Sequence, residues 1–329
     1  MASSVTKFTC IAVLAPALMS AQEYMSIGPQ LPNRLRLAPG QVTTLFASVT
    51  DPIPALVRAE GFPLPRGLGG FSVEFRLLGL APPILAPLLN VGRYSSCPVT
   101  MGMPNPCATI AGISIQVPWE LSVGVSGQIL IQMSIVHNGR RGKFVDIQMA
   151  LNQVHFPTGA DPAIGNLATS GPLFVHSDGT AITAENPARS GEIASAYLFG
   201  LGRPSTPLQL ISGEPSPAGA EISSLALRYE FRPTRSSVVY PLIDEAGAPL
   251  EVRWAGLAPG SIGLYQVNFV VPSAPADLPE CLPGGRGVLS NLTISFDSAQ
   301  RFIGPIGSQA ATSICAAPDR SSSSTPAQH

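Results

Sequence analysis

The chain has 329 residues, of which 45% are hydrophobic and only 12% are charged, and its formal net charge is −1. A chain this weakly charged has no basic surface for DNA, RNA or anionic lipid, so we expect no nucleic-acid partner. Its 32 glycines and 34 prolines favour turns over helices and predict an all-β fold, and its length exceeds what one hydrophobic core usually holds.

Residues 1–21 have the outline of a secretory signal peptide. Lys7 is followed by an apolar run from Phe8 to Met19, and then by the small pair Ser20-Ala21. The cleavage point stays open, because Ala15-Pro16-Ala17 fits the small-x-small rule better than the residues before Ala21 do. The run is too short to span a bilayer, and no other apolar run is long enough. We therefore expect an exported chain, secreted or at the cell surface, with no membrane span after processing.

Alternating apolar and polar residues predict a first β domain over residues 30–152. Its clearest strand is Phe71 to Leu77, whose strict alternation indicates one buried and one wet face. Asn138-Gly139 is a strong hairpin-turn signal. Further strands are predicted at residues 42–49, 84–91, 113–117, 129–135 and 143–151.

A second β domain is predicted over residues 187–316, after a linker at 153–186 that carries one short docked strand at 173–176. Its best-patterned stretch is Trp254 to Pro272, in which a Pro259-Gly260 turn leads into an alternating strand. Its other strands are predicted at 192–199, 225–231, 238–243, 250–254 and 292–296. Residues 317–329 are low in complexity and are predicted to be disordered.

Corresponding residues of the two predicted domains recur at a nearly constant separation in sequence, which indicates that one β unit is repeated. Gly40 and Gly191 are 151 positions apart, whereas the pairs Pro118/Pro272 and Val73/Leu227 are each 154 apart. A period this long predicts a domain duplication rather than a solenoid.

Four cysteines follow the predicted signal peptide: Cys97, Cys107, Cys281 and Cys315. An even number in an exported chain points to disulfides, and three pairings are possible. The local pairing Cys97–Cys107 and Cys281–Cys315 is favoured, because each bond would close a local segment. A metal site is the alternative, but the spacing is not CxxC and no histidine lies near either pair.

No catalytic or metal-binding motif is found in the sequence. It lacks a G-x-S-x-G nucleophile elbow, an H-E-x-x-H motif and a calcium loop, and no helical pattern follows its glycine-rich segments. His176 with Asp178 comes nearest to a polar site, and their context is typical of a solvated turn. We predict that the chain is not an enzyme and needs no cofactor or metal.

Trp119, Trp254 and Tyr265 are the candidate residues for a ligand platform, since exposed aromatic rings are the usual platform for sugars. Each tryptophan lies at a strand end beside apolar residues, which favours packing over ligand binding. The leading hypothesis is therefore a non-catalytic exported protein in surface interaction or structure, with an extracellular protein or polysaccharide as its partner. The alternative is a carbohydrate-binding module.

Six motifs together resemble the Solibacter uncharacterised C-terminal domain, which is found in exported proteins of acidobacteria. They are LAPG (37–40), PLPRGLGGFSV (63–73), QVPWEL (116–121), PARSGE (187–192), GLG (200–202) and AGLAPGSIGLYQVNFVVP (255–272). The segment that contains Cys97 and Cys107 departs from the family pattern as an insertion. The resemblance covers nearly the whole mature chain and implies tandem immunoglobulin-like β-sandwiches outside the cytoplasm. It implies no reaction.

Overall fold

The structure is a computed structural model. It describes residues 23–27, 36–77, 82–96, 99–100, 103–104, 108–121, 129–157, 173–223, 225–235, 247–282, 287–297 and 310–319. Within these ranges every regular element is a β-strand, so the predicted all-β class is confirmed. The predicted signal peptide, the predicted strand at 238–243, both cysteines of the pair Cys97–Cys107 and residues 320–329 of the predicted tail lie outside the described residues. The described part contains no helix long and apolar enough to cross a membrane.

The strands are numbered in chain order. They are β1 (Glu23–Ile27), β2 (Arg36–Leu37), β3 (Val42–Ser48), β4 (Leu56–Arg58), β5 (Phe71–Leu77), β6 (Ile84–Leu85), β7 (Leu88–Ser96), β8 (Val99–Thr100), β9 (Met103–Pro104), β10 (Ala108–Gln116), β11 (Ile129–His137), β12 (Arg140–Arg141), β13 (Val145–Met149), β14 (Phe174–Val175), β15 (Ile193–Phe199), β16 (Ala226–Thr234), β17 (Ala248–Leu250), β18 (Val252–Leu257), β19 (Leu264–Val270), β20 (Ser290–Asp297) and β21 (Ala310–Ile314).

The first half of the chain is a sandwich of two sheets. One sheet has the order β1-β3-β10-β7-β4, and the other has the order β2-β13-β11-β5-β6. Leu45 and Ile113 from the first sheet share one hydrophobic core with Val73 and Met133 from the second. Alternation along each strand directs these side chains inward, so burying them holds the sheets face to face.

The second half repeats this arrangement with sheets of order β14-β15-β19-β18 and β17-β16-β20-β21. Val267 and Phe269 from one sheet meet Leu292 and Phe296 from the other in a second core. β19 alternates between buried and half-buried residues along its whole length, as the sequence pattern predicts.

The two halves share one order of strand pairing. In the first half β3-β10-β7 faces β5-β11-β13, and in the second half β15-β19-β18 faces β16-β20-β21. In each half an early segment also runs parallel to the last strand, β2 beside β13 in the first and Ala188 beside Ala316 in the second. These are the two sheets of an immunoglobulin-like sandwich, with an added strand in each half: β6 beside β5 and β17 beside β16. The domain boundaries and the duplication itself stay predictions.

Two predicted strands are each divided, because the chain leaves one sheet for the other. The predicted strand at 84–91 is β6 and β7, separated by Ala86 and Pro87, and proline has no N–H with which to continue a ladder. The predicted strand at 250–254 is likewise shared between β17 and β18, with Glu251 at the crossing. Sequence alternation finds such segments but not the change of sheet.

The halves are joined by a buried contact around the segment 211–213. The Leu64 N–H donates to the Gly213 carbonyl at 2.8 Å, and the Gly213 N–H donates to Gln116 Oε1 at 2.7 Å. A small apolar cluster lies beside these bonds and contains Val42 and Leu64 of the first half with Phe199 and Ile262 of the second. The two sandwiches therefore pack against each other through both apolar and polar groups.

Candidate functional site

Trp119 belongs to the interior of the molecule. Only 3% of the residue is exposed, and its ring lies in the core of the second half although it follows a strand of the first. The backbone N–H of Trp119 donates to Ser212 Oγ at 2.7 Å. The Arg203 guanidinium lies over the Trp119 ring, 5.8 Å from its centroid. A ring held in this way presents no face to a ligand, so the structure corrects its prediction as a platform.

Tyr265 is also an interior residue. It is 0% exposed, and its hydroxyl donates to the Gly202 carbonyl. Burial raises the pKa of Tyr265 above its usual range, and the nearby Arg203 opposes this only in part. Tyr265 therefore packs the core of the second sandwich with its polar end satisfied, and the platform prediction is corrected here too.

Trp254 is the candidate aromatic that reaches the surface. It lies half-buried on the edge strand β18, and its Nε1–H donates to Glu221 Oε1 at 3.1 Å. The ring rests against Gly256, since a β-carbon there would stand 2.8 Å from Trp254 Cζ2. The missing side chain at Gly256 thus leaves space for the indole on the sheet.

Around Trp254, strands β15, β19 and β18 turn polar and aromatic side chains away from the core. The buried residues of these strands include Ala196, Val267 and Leu257, so alternation directs their neighbours to the opposite side. The register pairs Ser195 with Asn268 and Asn268 with Trp254, and in the next row it pairs Tyr197 with Gln266 and Gln266 with Gly256. We call the surface formed by Ser195, Tyr197, Trp254, Gln266 and Asn268 the Trp254 face.

The amides of the Trp254 face have a fixed orientation. Asn268 Oδ1 accepts hydrogen bonds from Ser195 Oγ at 2.9 Å and from Gln266 Nε2 at 2.8 Å. Because both donors converge on this oxygen, Asn268 Nδ2 is directed elsewhere with its two hydrogens. Within the described part of the chain no residue accepts from Asn268 Nδ2 or donates to Gln266 Oε1. The face therefore offers preorganised donors and acceptors.

The Trp254 face contains no aspartate, glutamate, lysine, arginine or histidine. The charges at its border are Glu221, which accepts from the indole, and Glu251 and Arg253, which pair at 3.0 Å. Ile193 lies at one end and is 44% exposed. The surface is thus polar and aromatic but electrically neutral.

The corresponding surface of the first half is closed. Thr44, Ser114 and Asn90 form a hydrogen-bonded row with distances of 2.9 and 3.0 Å, and they are 4%, 0% and 3% exposed. Tyr94 lies over Gly112 with its ring edge-on to Phe46. The outer polar row is therefore wholly buried in one sandwich, whereas in the other only Ser195 is buried and Asn268 and Trp254 are half-buried. This difference marks the Trp254 face as the better candidate site.

His176 is buried and bonded to neighbouring protein groups, and its turn is therefore not a solvated site. His176 is 8% exposed, with Nδ1 at 3.0 Å from Glu192 Oε1 and Nε2 at 3.2 Å from the Asn186 carbonyl. Asp178 caps the turn by accepting from Thr180, and these hydrogen bonds lower the pKa of Asp178. Asp178 fits the turn interpretation, whereas His176 is buried because it ties the turn to the strand that follows.

Cys281 and Cys315 form a disulfide, in the local pairing that the sequence favours. The bond connects the segment before β20 to the residue after β21. An open cleft of about 780 Å³ beside it is lined by Arg189, Glu280 and Asp319, among others. The described residues contain no group of three histidine, cysteine, aspartate or glutamate side chains that could hold a metal ion.

No protein-family model and no curated protein matches the chain. Among solved structures it is similar to BspA_C_mut, with 11% identity, 89% of this chain and 96% of that chain covered, and a TM-score of 0.20. It is also similar to the adhesin InvE of Yersinia pseudotuberculosis, with 8% identity, 90% and 58% covered, and a TM-score of 0.19. It is similar as well to the AgI/II polypeptide BspA C-terminal domain of Streptococcus agalactiae, with 11% identity and a TM-score of 0.18. That match covers 89% of this chain and 98% of that chain. Scores this low identify neither a family nor a shared function, and the Solibacter resemblance stays a prediction.

Sequence reasoning missed most of the Trp254 face. Tyr197, Ser195 and Gln266 were not candidates, because a polar residue on a strand is ordinarily just the wet side of a sheet. The available signal was the alternation of β19, in which Gln266 and Asn268 take the positions opposite to the buried Tyr265, Val267 and Phe269. It places them on the outer surface beside Trp254.

Proposed function

We propose that the chain is a non-catalytic exported protein of two tandem β-sandwich domains that acts by binding at the cell surface. The observation that carries this proposal is the fixed, half-buried amide of Asn268 on the Trp254 face, which is neutral and built on strands. Polar groups held in one geometry on rigid elements make a binding surface, because little conformational freedom is lost when a ligand binds.

The disulfide supports export. Cytosolic thiols are kept reduced, whereas disulfides persist in exported proteins. Cys281–Cys315 closes a loop with a sequence separation of 34 and lies at the end of the second core. The predicted signal peptide at residues 1–21 and the resemblance to exported acidobacterial proteins are consistent with the same compartment.

The buried polar groups support a non-catalytic role, because they hold the protein together. Both ring nitrogens of His176 face protein oxygens. Ser212 accepts from Trp119 and donates to Glu120. A general base or a nucleophile needs access to its substrate, and these groups are occupied by internal contacts.

The contact between the halves supports a binding role as well. Arg66 donates to the carbonyls of Leu85 and Ser212 at 2.6 and 2.9 Å, and so ties a loop of the first half to the segment 211–213. These bonds oppose movement of the Trp254 face relative to the first half. Such restraint favours binding over the loop movement on which many enzymes depend.

The proposal is tested on intact cells of the source organism with an antibody against the full chain. We expect the protein to be degraded by externally added protease while a cytosolic marker survives, and Cys281 and Cys315 to resist alkylation until a reductant is added. A chain that is protected from protease, with both thiols free, would contradict export. Turnover of a glycoside, ester or peptide substrate that is lost when a described side chain is replaced would contradict the non-catalytic role.

A further inference from the structure

The Trp254 face holds two aromatic rings on either side of a hydrogen-bonding strip. Tyr197 lies on β15, Gln266 lies opposite it on β19, and Gly256, which the Trp254 ring covers, lies opposite Gln266 on β18. Since neighbouring strands are about 4.8 Å apart, the two rings stand about 10 Å apart across the sheet. A ligand that follows this row would meet a ring, then an amide, then a ring.

The polar groups between the rings match the chemistry of sugar hydroxyls. Asn268 Nδ2 supplies donors and Gln266 Oε1 supplies an acceptor, and both are held by the bonds to Asn268 Oδ1. The Tyr197 hydroxyl can both donate and accept a hydrogen bond. Neighbouring hydroxyls of a pyranose both donate and accept, while the C–H face of the same ring is apolar and packs on an aromatic ring. The face pairs both properties at adjacent positions.

The charge and the area of the Trp254 face favour a neutral sugar chain over an anionic ligand or a folded protein. The face has no cation to bind a phosphate, sulfate or uronate. At its border Arg253 is paired with Glu251 at 3.0 Å, and Glu221 disfavours anions. The two rows of three strands cover about 200 Å², well below the roughly 800 Å² that each partner contributes to a stable protein interface. A slender neutral chain fits these limits, whereas a folded protein would have to contact residues well beyond the face.

We infer that the Trp254 face binds a neutral polysaccharide laid across β15, β19 and β18. Pyranose rings stack on Trp254 and Tyr197, and their hydroxyls bond to Gln266 and Asn268. This inference rests on the proposed function and adds the class of its ligand. It assigns the platform to Trp254 and Tyr197, in place of the buried Trp119 and Tyr265.

The test uses the purified full chain in affinity electrophoresis and calorimetry with β-glucan, xylan, mannan and the anionic polygalacturonate. Trp254→Ala removes one ring. Asn268→Asp keeps the oxygen that accepts from Ser195 and Gln266 but removes the outward donors. Tyr197→Phe keeps the ring and removes the hydroxyl. Phe144→Ala is the matched control, because it removes an aromatic ring that is 39% exposed on the other half. Circular dichroism and thermal unfolding verify that each variant is folded.

We expect at least one neutral polysaccharide to bind, with affinity reduced at least about tenfold by Trp254→Ala and by Asn268→Asp. Tyr197→Phe should cause a smaller loss and Phe144→Ala none. Failure to bind any neutral polysaccharide, binding of polygalacturonate alone, or binding that both face variants retain would overturn the inference. A protein partner lost with Trp254→Ala would also overturn it and leave the proposed surface role intact. Protection from external protease on intact cells, by contrast, would overturn the proposed function itself.

Discussion

The Trp119 ring lies directly against Gly40, so closely that a β-carbon on Gly40 would overlap the six-membered part of the indole. Gly40 ends the turn before β3 in the first half, and its φ of 75° is one that only glycine adopts readily. Trp119 belongs to the core of the second half. Because Gly40 has no side chain, the turn before β3 leaves space for the Trp119 ring, which packs in the core of the second half.

Gly40→Ala should destabilise the protein by about 2–5 kcal/mol, which combines the left-handed backbone cost with overpacking against the indole. Gly191→Ala is the matched control, because Gly191 has a φ of 79° and a β-carbon added to it would meet no atom within 4 Å. It should lose only about 1–2 kcal/mol. Urea unfolding measures both variants, and equal losses would show that the indole contact contributes nothing.

Ser212→Ala should lower the free energy of unfolding by about 1–3 kcal/mol, because it leaves the buried Trp119 N–H without its acceptor. Ser223→Ala is the control, since that hydroxyl makes an exposed bond to Ser205, and a change within about 0.5 kcal/mol is expected. Denaturant unfolding followed by tryptophan fluorescence measures both. A loss no larger for Ser212→Ala than for Ser223→Ala would contradict the role of this contact.

Replacing Cys281 and Cys315 together by serine should destabilise the protein by about 3–4 kcal/mol, the chain-entropy value for a loop of this length. Thermal unfolding with and without reductant measures the effect. Peptide mapping of the unreduced protein should show the two cysteines linked, and the same map tests the predicted Cys97–Cys107 bond. Free thiols at 281 and 315, or a double variant as stable as the wild type, would contradict the prediction.

His137 should make the protein less stable in acid. It stacks on Phe71 with ring centroids 3.8 Å apart, it is 1% exposed, and its Nδ1 has no hydrogen-bond partner among the described residues. Burial lowers the pKa of His137 below 6.5, and Asp51 opposes the shift only in part. The unfolded chain therefore binds the proton more tightly, so stability falls as pH drops from about 6.5 towards the lower pKa of the folded state.

His137→Phe keeps the stacked ring and removes the titration. The unfolding free energy of the variant should fall less steeply between about pH 7 and 5, by up to about 1.4 kcal/mol per pH unit. Thermal or urea unfolding at several pH values measures the two slopes. Because the carboxylates are common to both proteins, parallel slopes would show that the pKa of His137 is the same in the folded and the unfolded protein.

Local pattern was sufficient for most strands and for part of the site. The predicted strand at 71–77 has the bounds of β5, although Glu74 on its predicted wet face is buried beside Arg141. The alternation of β19 already turns Tyr265 inward with Val267 and Phe269. Tyr265 could therefore have been excluded as a platform by its position in the strand alone. Asn138 and Gly139 both have positive φ, as the hairpin signal requires.

Long-range contacts account for what pattern did not find. Trp119 follows a strand of the first half, and nothing nearby in sequence shows that its ring packs in the second core. β21 has the sequence AATSI, too small and too polar to be recognised as a strand, and it is held in its sheet by pairing with β20. In both cases the structure depends on a partner outside the segment itself, so the pattern within the segment cannot identify it.

The position of Trp119 also decides how the protein can be dissected. A cut within residues 153–186 separates two sandwiches in sequence, but it removes a tryptophan from the interior of the second and leaves that tryptophan in water on the first. The second fragment would contain a cavity the size of an indole. The first would expose a large apolar ring, which promotes aggregation. The smallest piece of this chain that can be studied in its native state therefore contains both halves.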